Sequence, residues 1–229
     1  MTWSRLACMA GGYLAGTLPS TWILARAKGA HGVLESARRT AGETDPHILM
    51  AKELGVAWTV VAATTDVLKG LVYVLAARHW GRLDSPWLAL TGGAVVVGHS
   101  FPFYAREMAG RGLAAAAGVL LVLLPIEMTV AGLLIVAGRV LRVTSLATTV
   151  GMAGVPAVAA IQGQPKELVA MGTAIVAVLV IRRLEGVGTV IRGGFPPARA
   201  ILYRCVFDSS GPPAGRGAWD RTEEQLPPT

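Results

Sequence analysis

Long apolar stretches separated by short polar segments run along most of the chain. A helix needs about 20 consecutive apolar residues to cross a bilayer, and the gaps between charged residues mark stretches of about that length. We predict membrane-spanning helices at Leu6–Ala25, Leu54–Ala77, Trp87–Tyr104, Ser145–Ile161 and Leu168–Ile181. The pattern therefore predicts an all-α polytopic membrane protein.

The stretch Leu113–Ala137 forms either one long span or two helices that turn at Pro125-Ile126-Glu127. Lysine and arginine favour the cytoplasmic side of a membrane. With seven spans, the segments that hold Arg106 and Arg139 face the cytoplasm together, whereas six spans separate them. We therefore predict about seven helices in the inner (plasma) membrane, with the amino terminus outside and the carboxyl terminus in the cytoplasm.

The fourth and fifth helices of this arrangement are short for a membrane. At about 1.5 Å per residue, a helix of about twelve residues falls well short of a bilayer about 30 Å thick. We therefore expect helix four to begin earlier, near Ala109, or the pair to be tilted or partly re-entrant.

Composition points the same way, since 53% of residues are hydrophobic and 15% are charged, against about 25% charged in a soluble domain. The net charge of +7 is spread over several loops, which favours anionic lipid headgroups over nucleic acid as the electrostatic partner. The two cysteines and four histidines show neither a disulfide framework nor metal-ligand spacing, so we expect no metal site. No motif indicates a cofactor or an obligate protein partner, and we expect neither. We assign 1–204 to a membrane domain and 205–229 to a polar tail that we expect to be disordered.

A glycine-rich turn, Ala109-Gly110-Arg111-Gly112, leads directly into an apolar helix. Glycine lets backbone N–H groups approach a ligand closely, and a helix start beside a cation forms an anion site. These features predict a cradle for a phosphate or an acyl-phosphate. The alternative is that the small residues only pack against a neighbouring helix.

Three further polar groups interrupt the apolar pattern. Asp66 and Lys69 share one helix face inside a span, as a functional pair or as a structural salt bridge. His99 precedes Pro102 by one turn and is either a general base or a packing histidine. Arg139 and Arg142 lie before the hydroxyls of Thr144-Ser145, which suits either a phosphate site or membrane anchoring.

In combination these motifs resemble the bacterial acyl-phosphate-dependent glycerol-3-phosphate acyltransferases. The resemblance covers roughly residues 10–192, and the pieces follow the family's order. They are Gly16-Thr17-Leu18-Pro19-Ser20 for G-S-x-P, Asp66-Val67-Leu68-Lys69-Gly70 for D-x-x-K-G, Gly98-His99-Ser100-Phe101-Pro102 for G-H-x-F-P, Ala109-Gly110-Arg111-Gly112-Leu113 for G-G-K-G-V, and Thr144-Ser145-Leu146 for S-S-L.

The resemblance implies a membrane enzyme of phospholipid synthesis that transfers a fatty acyl group from acyl-phosphate to glycerol-3-phosphate. It implies a catalytic role for Arg111, which replaces the family's lysine and stabilises the phosphate leaving group, together with Lys69 and His99. The substrate phosphates would be bound by Gly110, Gly112, Lys52, Arg142, Ser145 and Arg183.

Two motifs of the family are replaced in this chain. The family's first cytoplasmic loop reads S-G-N-x-G-A-T-N-x-x-R, whereas positions 42–52 here introduce Glu43 and Asp45 and keep only the final charge, at Lys52. Near the end, Arg183 and Gly186 stand where the family has a histidine and an asparagine. We therefore expect glycerol-3-phosphate to bind weakly. The alternative function is a diverged paralogue without this activity, which binds lipid or a partner protein.

Overall fold

The computed structural model describes residues 2–32, 34–36, 45–104 and 109–207, and all regular secondary structure in these ranges is helical. Helices with defined bounds are α1 Thr2–Gly16, α2 Ser20–Ala27, α3 Pro46–Glu53, α4 Val56–His79, α5 Ser85–Ser100, α6 Leu113–Leu123, α7 Pro125–Val140, α8 Thr144–Ile161, α9 Lys166–Arg183, α10 Val187–Arg192 and α11 Pro197–Phe207. The all-α prediction is confirmed.

The prediction of a single helix over Leu6–Ala25 is wrong, because the helix is interrupted between Gly16 and Ser20. Pro19 lacks the N–H group that a continuous helix requires. The carbonyls freed by the break are paired: Thr17 O accepts from the Tyr104 hydroxyl at 2.8 Å and Leu18 O accepts from Lys69 Nζ at 2.8 Å. Such pairing is what permits a helix break inside a bilayer.

The other predicted spans differ from the observed helices mainly at their ends. Helix α5 stops at Ser100 rather than Tyr104, since Pro102 cannot continue it. The stretch Leu113–Ala137 is two helices, the alternative that the lysine and arginine distribution favoured, with a non-helical backbone at Leu124. Of the two alternatives for helix four, the start near Ala109 is wrong, because Gly112 takes a left-handed conformation and α6 starts only after it. The tilted or re-entrant alternative stays a prediction.

Two helices, α4 and α8, are each long and apolar enough to cross a membrane, and only 28% of either span is buried within the protein. Their outward side chains include Val60, Val72 and Val150, all more than half exposed. A soluble core helix would bury such residues, whereas lipid accommodates them.

Close backbone packing joins the helices that surround the polar side chains. Gly16 of α1 faces the carbonyl of Val95, and Gly98 of α5 faces the carbonyl of Tyr13. A Cβ atom at either glycine would collide with the facing backbone. Small residues allow such close approach in membrane proteins. The contact fixes the end of α5, and with it His99, against the break between α1 and α2.

The proposed boundary between membrane domain and tail, at 204/205, falls inside α11. The remainder of the expected tail, residues 208–229, lies outside the described residues.

Candidate active site

A cavity of about 680 Å³ opens where the ends of several helices meet. One end of it is apolar and is lined by α6, α8 and α9 through Leu113, Met152, Val176 and Leu179, among others. The other end is polar. Its basic and acidic lining among the described residues comprises four arginines, two histidines and one aspartate, namely Arg111, Arg139, Arg142, Arg183, His47, His99 and Asp45. An apolar compartment joined to an excess of arginine suits a ligand with a lipid chain and an anionic head.

The glycine-rich turn forms one wall of this cavity. Gly112 has φ +94°, a left-handed conformation that glycine adopts without strain, and Gly110 packs directly against the His99 imidazole. Arg182 of α9 holds the turn from behind, donating to the carbonyls of Ala109 at 3.1 Å and Gly110 at 3.2 Å. The turn is therefore fixed on both sides while Arg111 lines the cavity.

Arg111 pairs with a carboxylate from the first loop. Its Nε lies 3.0 Å from Oδ2 of Asp45. Asp45 also caps α3, because its Oδ1 accepts from the backbone N–H of His47 at 2.9 Å and Pro46 occupies the first helical position. Burial alone would raise the pKa of Asp45, but the hydrogen bond from His47 and the charge of Arg111 outweigh it and lower that pKa.

A second polar group, here called the Asp66 cluster, lies beside the turn and consists of Ser20, His47, Asp66, Lys69 and His99. Oδ1 of Asp66 accepts from the Ser20 hydroxyl and from Lys69 Nζ, each at 2.7 Å. His47 Nε2 lies 3.1 Å from Oδ2, and His99 Nδ1 lies 3.6 Å from Oδ1. The adjoining void measures only about 10 Å³. Asp66 itself is 1% exposed.

His47 links the two carboxylates. Its Nδ1 lies 3.6 Å from Asp45 Oδ1, opposite the Nε2 contact with Asp66. Burial alone would lower the pKa of His47, but the two carboxylates raise it to about 9. The imidazole is therefore a cation at neutral pH, and it connects Arg111 to Lys69 through alternating positive and negative charges.

At the far end of the polar region, Arg183 donates to Thr149 Oγ1 at 3.1 Å and contacts Ser145 Oγ. Arg142 lines the same region with φ +60°. A side chain in the left-handed region costs about 1–2 kcal/mol. Such strain is found where function holds a side chain in place.

Comparison with known proteins agrees with this geometry, since residues 6–193 match the glycerol-3-phosphate acyltransferase family. The chain belongs to this family. It is 30% identical to the glycerol-3-phosphate acyltransferase of Geotalea daltonii over 80% of this chain and 92% of that one. It is 31% identical to the Geobacter sulfurreducens enzyme over 83% and 95%.

Solved structures give the same result at the level of the fold. The chain superposes on PlsY, an integral membrane glycerol 3-phosphate acyltransferase, with a TM-score of 0.71 and 26% identity in its glycerol 3-phosphate form, covering 83% of this chain and 93% of that one. The lysophosphatidic acid form gives 0.69 and 25%, covering 87% and 99%. The all-helical fold is thus that of an integral membrane acyltransferase.

Within this family member, most residues singled out in the sequence meet in two places. Gly112, Arg111, Arg142, Ser145 and Arg183 line the large cavity. His99 lines both voids, Gly110 lines the small one, and Lys69 pairs with Asp66 beside it. Lys52 is exposed and lines neither.

Sequence reasoning missed four contributors to this acyltransferase-family site. The first is His47, which links Asp45 to Asp66. Asp45 appeared as a repulsive charge, whereas it pairs with Arg111. Thr149 follows Ser145 by one helical turn and joins it on the cavity wall, a spacing that could have indicated its part. Arg182 is adjacent to Arg183 but turns toward the glycine turn, and the sequence held no signal to separate their roles.

Proposed function

We propose that the chain transfers a fatty acyl group from an acyl-phosphate to glycerol-3-phosphate. The observation that carries this proposal is one cavity with an apolar compartment and four arginines at its polar end. The apolar compartment would take the acyl chain, and the arginines would bind two phosphate groups.

The donor phosphate is assigned to the glycine turn, with Gly110 and Gly112 allowing close approach and Arg111 supplying the positive charge. To bind it, Arg111 exchanges the Asp45 carboxylate for the phosphate. The acceptor phosphate is assigned to Arg142, Ser145 and Arg183. Lys52 was expected to join them, and its exposed position gives no support for that role.

The reaction forms a bond between the acceptor hydroxyl oxygen and the acyl carbonyl carbon. The bond from that carbon to the phosphate oxygen breaks, and the hydroxyl proton leaves with inorganic phosphate. Positioning of the two substrates supplies most of the acceleration. His99 lines the cavity and is the candidate for proton transfer, while Lys69 acts on it through Asp66 as a positioning residue.

We further propose seven membrane crossings, with the amino terminus outside and the arginine-rich end of the cavity in the cytoplasm. This orientation puts the basic helix ends on the side that the positive-inside rule favours. Residues 1–204 would form the membrane domain and the residues beyond it a tail.

The role of Arg111 is tested by substitution. Arg111→Ala should lower turnover by on the order of 10²-fold, because the leaving phosphate loses its cation. Arg111→Lys should keep much of the activity, since the charge remains. Phosphate release by the purified protein is the measurement, and a fully active Arg111→Ala variant would show that the turn only packs.

One observation favours a second function, namely lipid binding without catalysis. Asp45 forms an ion pair with Arg111, and other residues replace the family's first-loop motif in this chain. Binding of acyl-phosphate without any phosphate release would support this function against the first.

A further inference from the structure

Helix α11 lies beyond the residues that match the family, yet it lines the cavity through Cys205 and Val206. Its last turn makes polar contacts with the residues assigned to the acceptor phosphate. The carbonyl of Cys205 accepts from the Ser145 and Thr149 hydroxyls, each at 3.1 Å. The carbonyl of Arg204 accepts from Arg183 Nε at 3.1 Å.

The position of these carbonyls in their helix explains the attraction. The last four carbonyls of an α-helix have no partner within the helix, and they carry the negative end of its dipole. Arg204 and Cys205 belong to the last turn of α11, which ends at Phe207. A guanidinium and two hydroxyl donors are natural partners for such a helix end.

The contact is reciprocal. Arg204 donates from Nε to the carbonyl of Arg183 at 3.0 Å, and Arg183 is the last residue of α9. Each arginine therefore donates a hydrogen bond to a backbone carbonyl at the carboxyl-terminal end of the helix that contains the other. Arg204 does not line the cavity, so it holds α11 in place without touching the space that a substrate would fill.

These contacts use the same donors that a phosphate needs. A hydroxyl has one proton to donate. The Ser145 proton is directed to the Cys205 carbonyl, whereas the Thr149 proton is shared between that carbonyl and the Ser145 carbonyl of its own helix, at 3.0 Å. An ionised phosphate oxygen accepts hydrogen bonds and has no proton to donate. It therefore competes with the Cys205 carbonyl for the same donors and cannot form a hydrogen bond to that carbonyl. A phosphate and the docked end of α11 therefore cannot both hold the Ser145 proton, and they compete for the proton of Thr149.

We propose that α11 is a lid over the acceptor-phosphate end of the cavity. The terminal carbonyls of α11 accept hydrogen bonds from the side chains that bind the phosphate, until the substrate displaces those carbonyls. The proposal rests on the proposed function for the identity of the acceptor site. Glycerol-3-phosphate enters by exchanging its phosphate for the carbonyls of Arg204 and Cys205, and α11 moves away from α8.

Cys205 provides a probe of this movement. In the full-length Cys8→Ser variant it is the single cysteine, and its rate of alkylation is measured with and without glycerol-3-phosphate or inorganic phosphate. A displaced lid exposes the thiol, so either ligand should accelerate alkylation several-fold. Slower alkylation would mean that the bound ligand covers Cys205 and that α11 does not move. An unchanged rate would mean that no phosphate binds at this end of the cavity. Either result would contradict the proposal that α11 is a lid.

Arg204→Ala tests the same point kinetically. Loss of its hydrogen bonds to α9 loosens the lid, which should lower the KM for glycerol-3-phosphate by on the order of tenfold. The matched control is Arg199→Ala, an exposed arginine on the same helix, which should leave KM unchanged. A higher KM in Arg204→Ala would show that α11 holds Arg183 ready for substrate instead of competing with it.

The two assays separate this proposal from the proposed reaction. Accelerated alkylation in a protein that releases no phosphate from acyl-phosphate would retain the lid and reject the reaction. Turnover with unchanged or slower alkylation would retain the reaction and reject the lid.

Discussion

The Asp66 cluster and the arginine-rich end of the large cavity differ in what surrounds their charges. Around Asp66, a single carboxylate is enclosed by Ser20, Lys69 and two histidines, and within this cluster only the histidines also line the large cavity. At the arginine end, cations outnumber carboxylates beside a void large enough for a substrate. A buried charge that is paired entirely by protein groups stabilises the fold. An excess of positive charge beside a cavity indicates a binding site for an anion.

The largest expected effect follows from breaking the enclosed cluster. Asp66→Asn leaves Lys69 and His47 without their shared anion, and removing one partner of a buried ion pair costs about 3–5 kcal/mol. We expect a large drop in the unfolding temperature of the detergent-solubilised protein and loss of activity.

Asp84→Asn is the matched control for this change, since Asp84 pairs with Arg5 at 3.3 Å on the surface. Exposed pairs contribute about 0–1 kcal/mol. An Asp66→Asn variant as stable as Asp84→Asn would contradict the structural role of the cluster.

The arginine end is tested by Arg142, which is held in the left-handed region. Arg142→Gly removes a cation that would bind phosphate, and hydrogen bonds to charged groups contribute about 1.5–3 kcal/mol, or roughly tenfold to a hundredfold in kcat/KM. The same change relieves backbone strain, so thermal stability should not fall.

Arg82→Gly isolates the strain, because Arg82 is exposed and also has a positive φ of 47°. It should match Arg142→Gly in stability and keep full activity. If Arg142→Gly also kept full activity, the assignment of Arg142 to a phosphate would be wrong.

A smaller effect is expected at Asp45, the carboxylate that reaches into the arginine end. A like charge near a bound phosphate costs on the order of 1 kcal/mol at a wet site, or roughly fivefold in affinity. Asp45→Asn should therefore lower the KM for acyl-phosphate. A raised KM would show that the carboxylate positions Arg111 for the donor.

The last prediction concerns the pH dependence of stability through His47, which faces Asp45 and Asp66. Its pKa is raised from 6.5 to about 9 in the folded protein. Its contribution is therefore complete below about pH 6.5 and is lost as pH rises through about 9.

The unfolding temperature of the unaltered protein should fall over this interval, and in His47→Gln that component of the fall should disappear. His79→Gln, at the exposed end of α4, should behave like the unaltered protein. A pH dependence that persists in His47→Gln would place the titrating group elsewhere.

The sequence was sufficient for the features that depend on local pattern. Apolar stretches predicted α4, α8 and α9 to within a few residues. The proline at 125 marked a possible division between α6 and α7, and the lysine and arginine distribution favoured it. The spacing of Asp66 and Lys69 predicted that their side chains meet, because residues three apart share a helix face.

Features that depend on distant segments were not predictable in the same way. Asp45 and Arg111 are far apart in the sequence and meet only because the start of α3 lies beside the glycine turn. The break at Thr17 and Leu18 is stable because Tyr104 and Lys69 supply donors from other segments. The contact of Arg183 with α11 likewise depends on a helix whose packing no periodicity reveals.

The central claim is acyl transfer from acyl-phosphate to glycerol-3-phosphate in the large cavity. Its most direct test is phosphate release from acyl-phosphate by the purified protein, measured with and without glycerol-3-phosphate. We expect release to depend on glycerol-3-phosphate and to yield one acylated glycerol-phosphate for each phosphate. Acyl-phosphate that binds but releases no phosphate, with or without glycerol-3-phosphate, would contradict it.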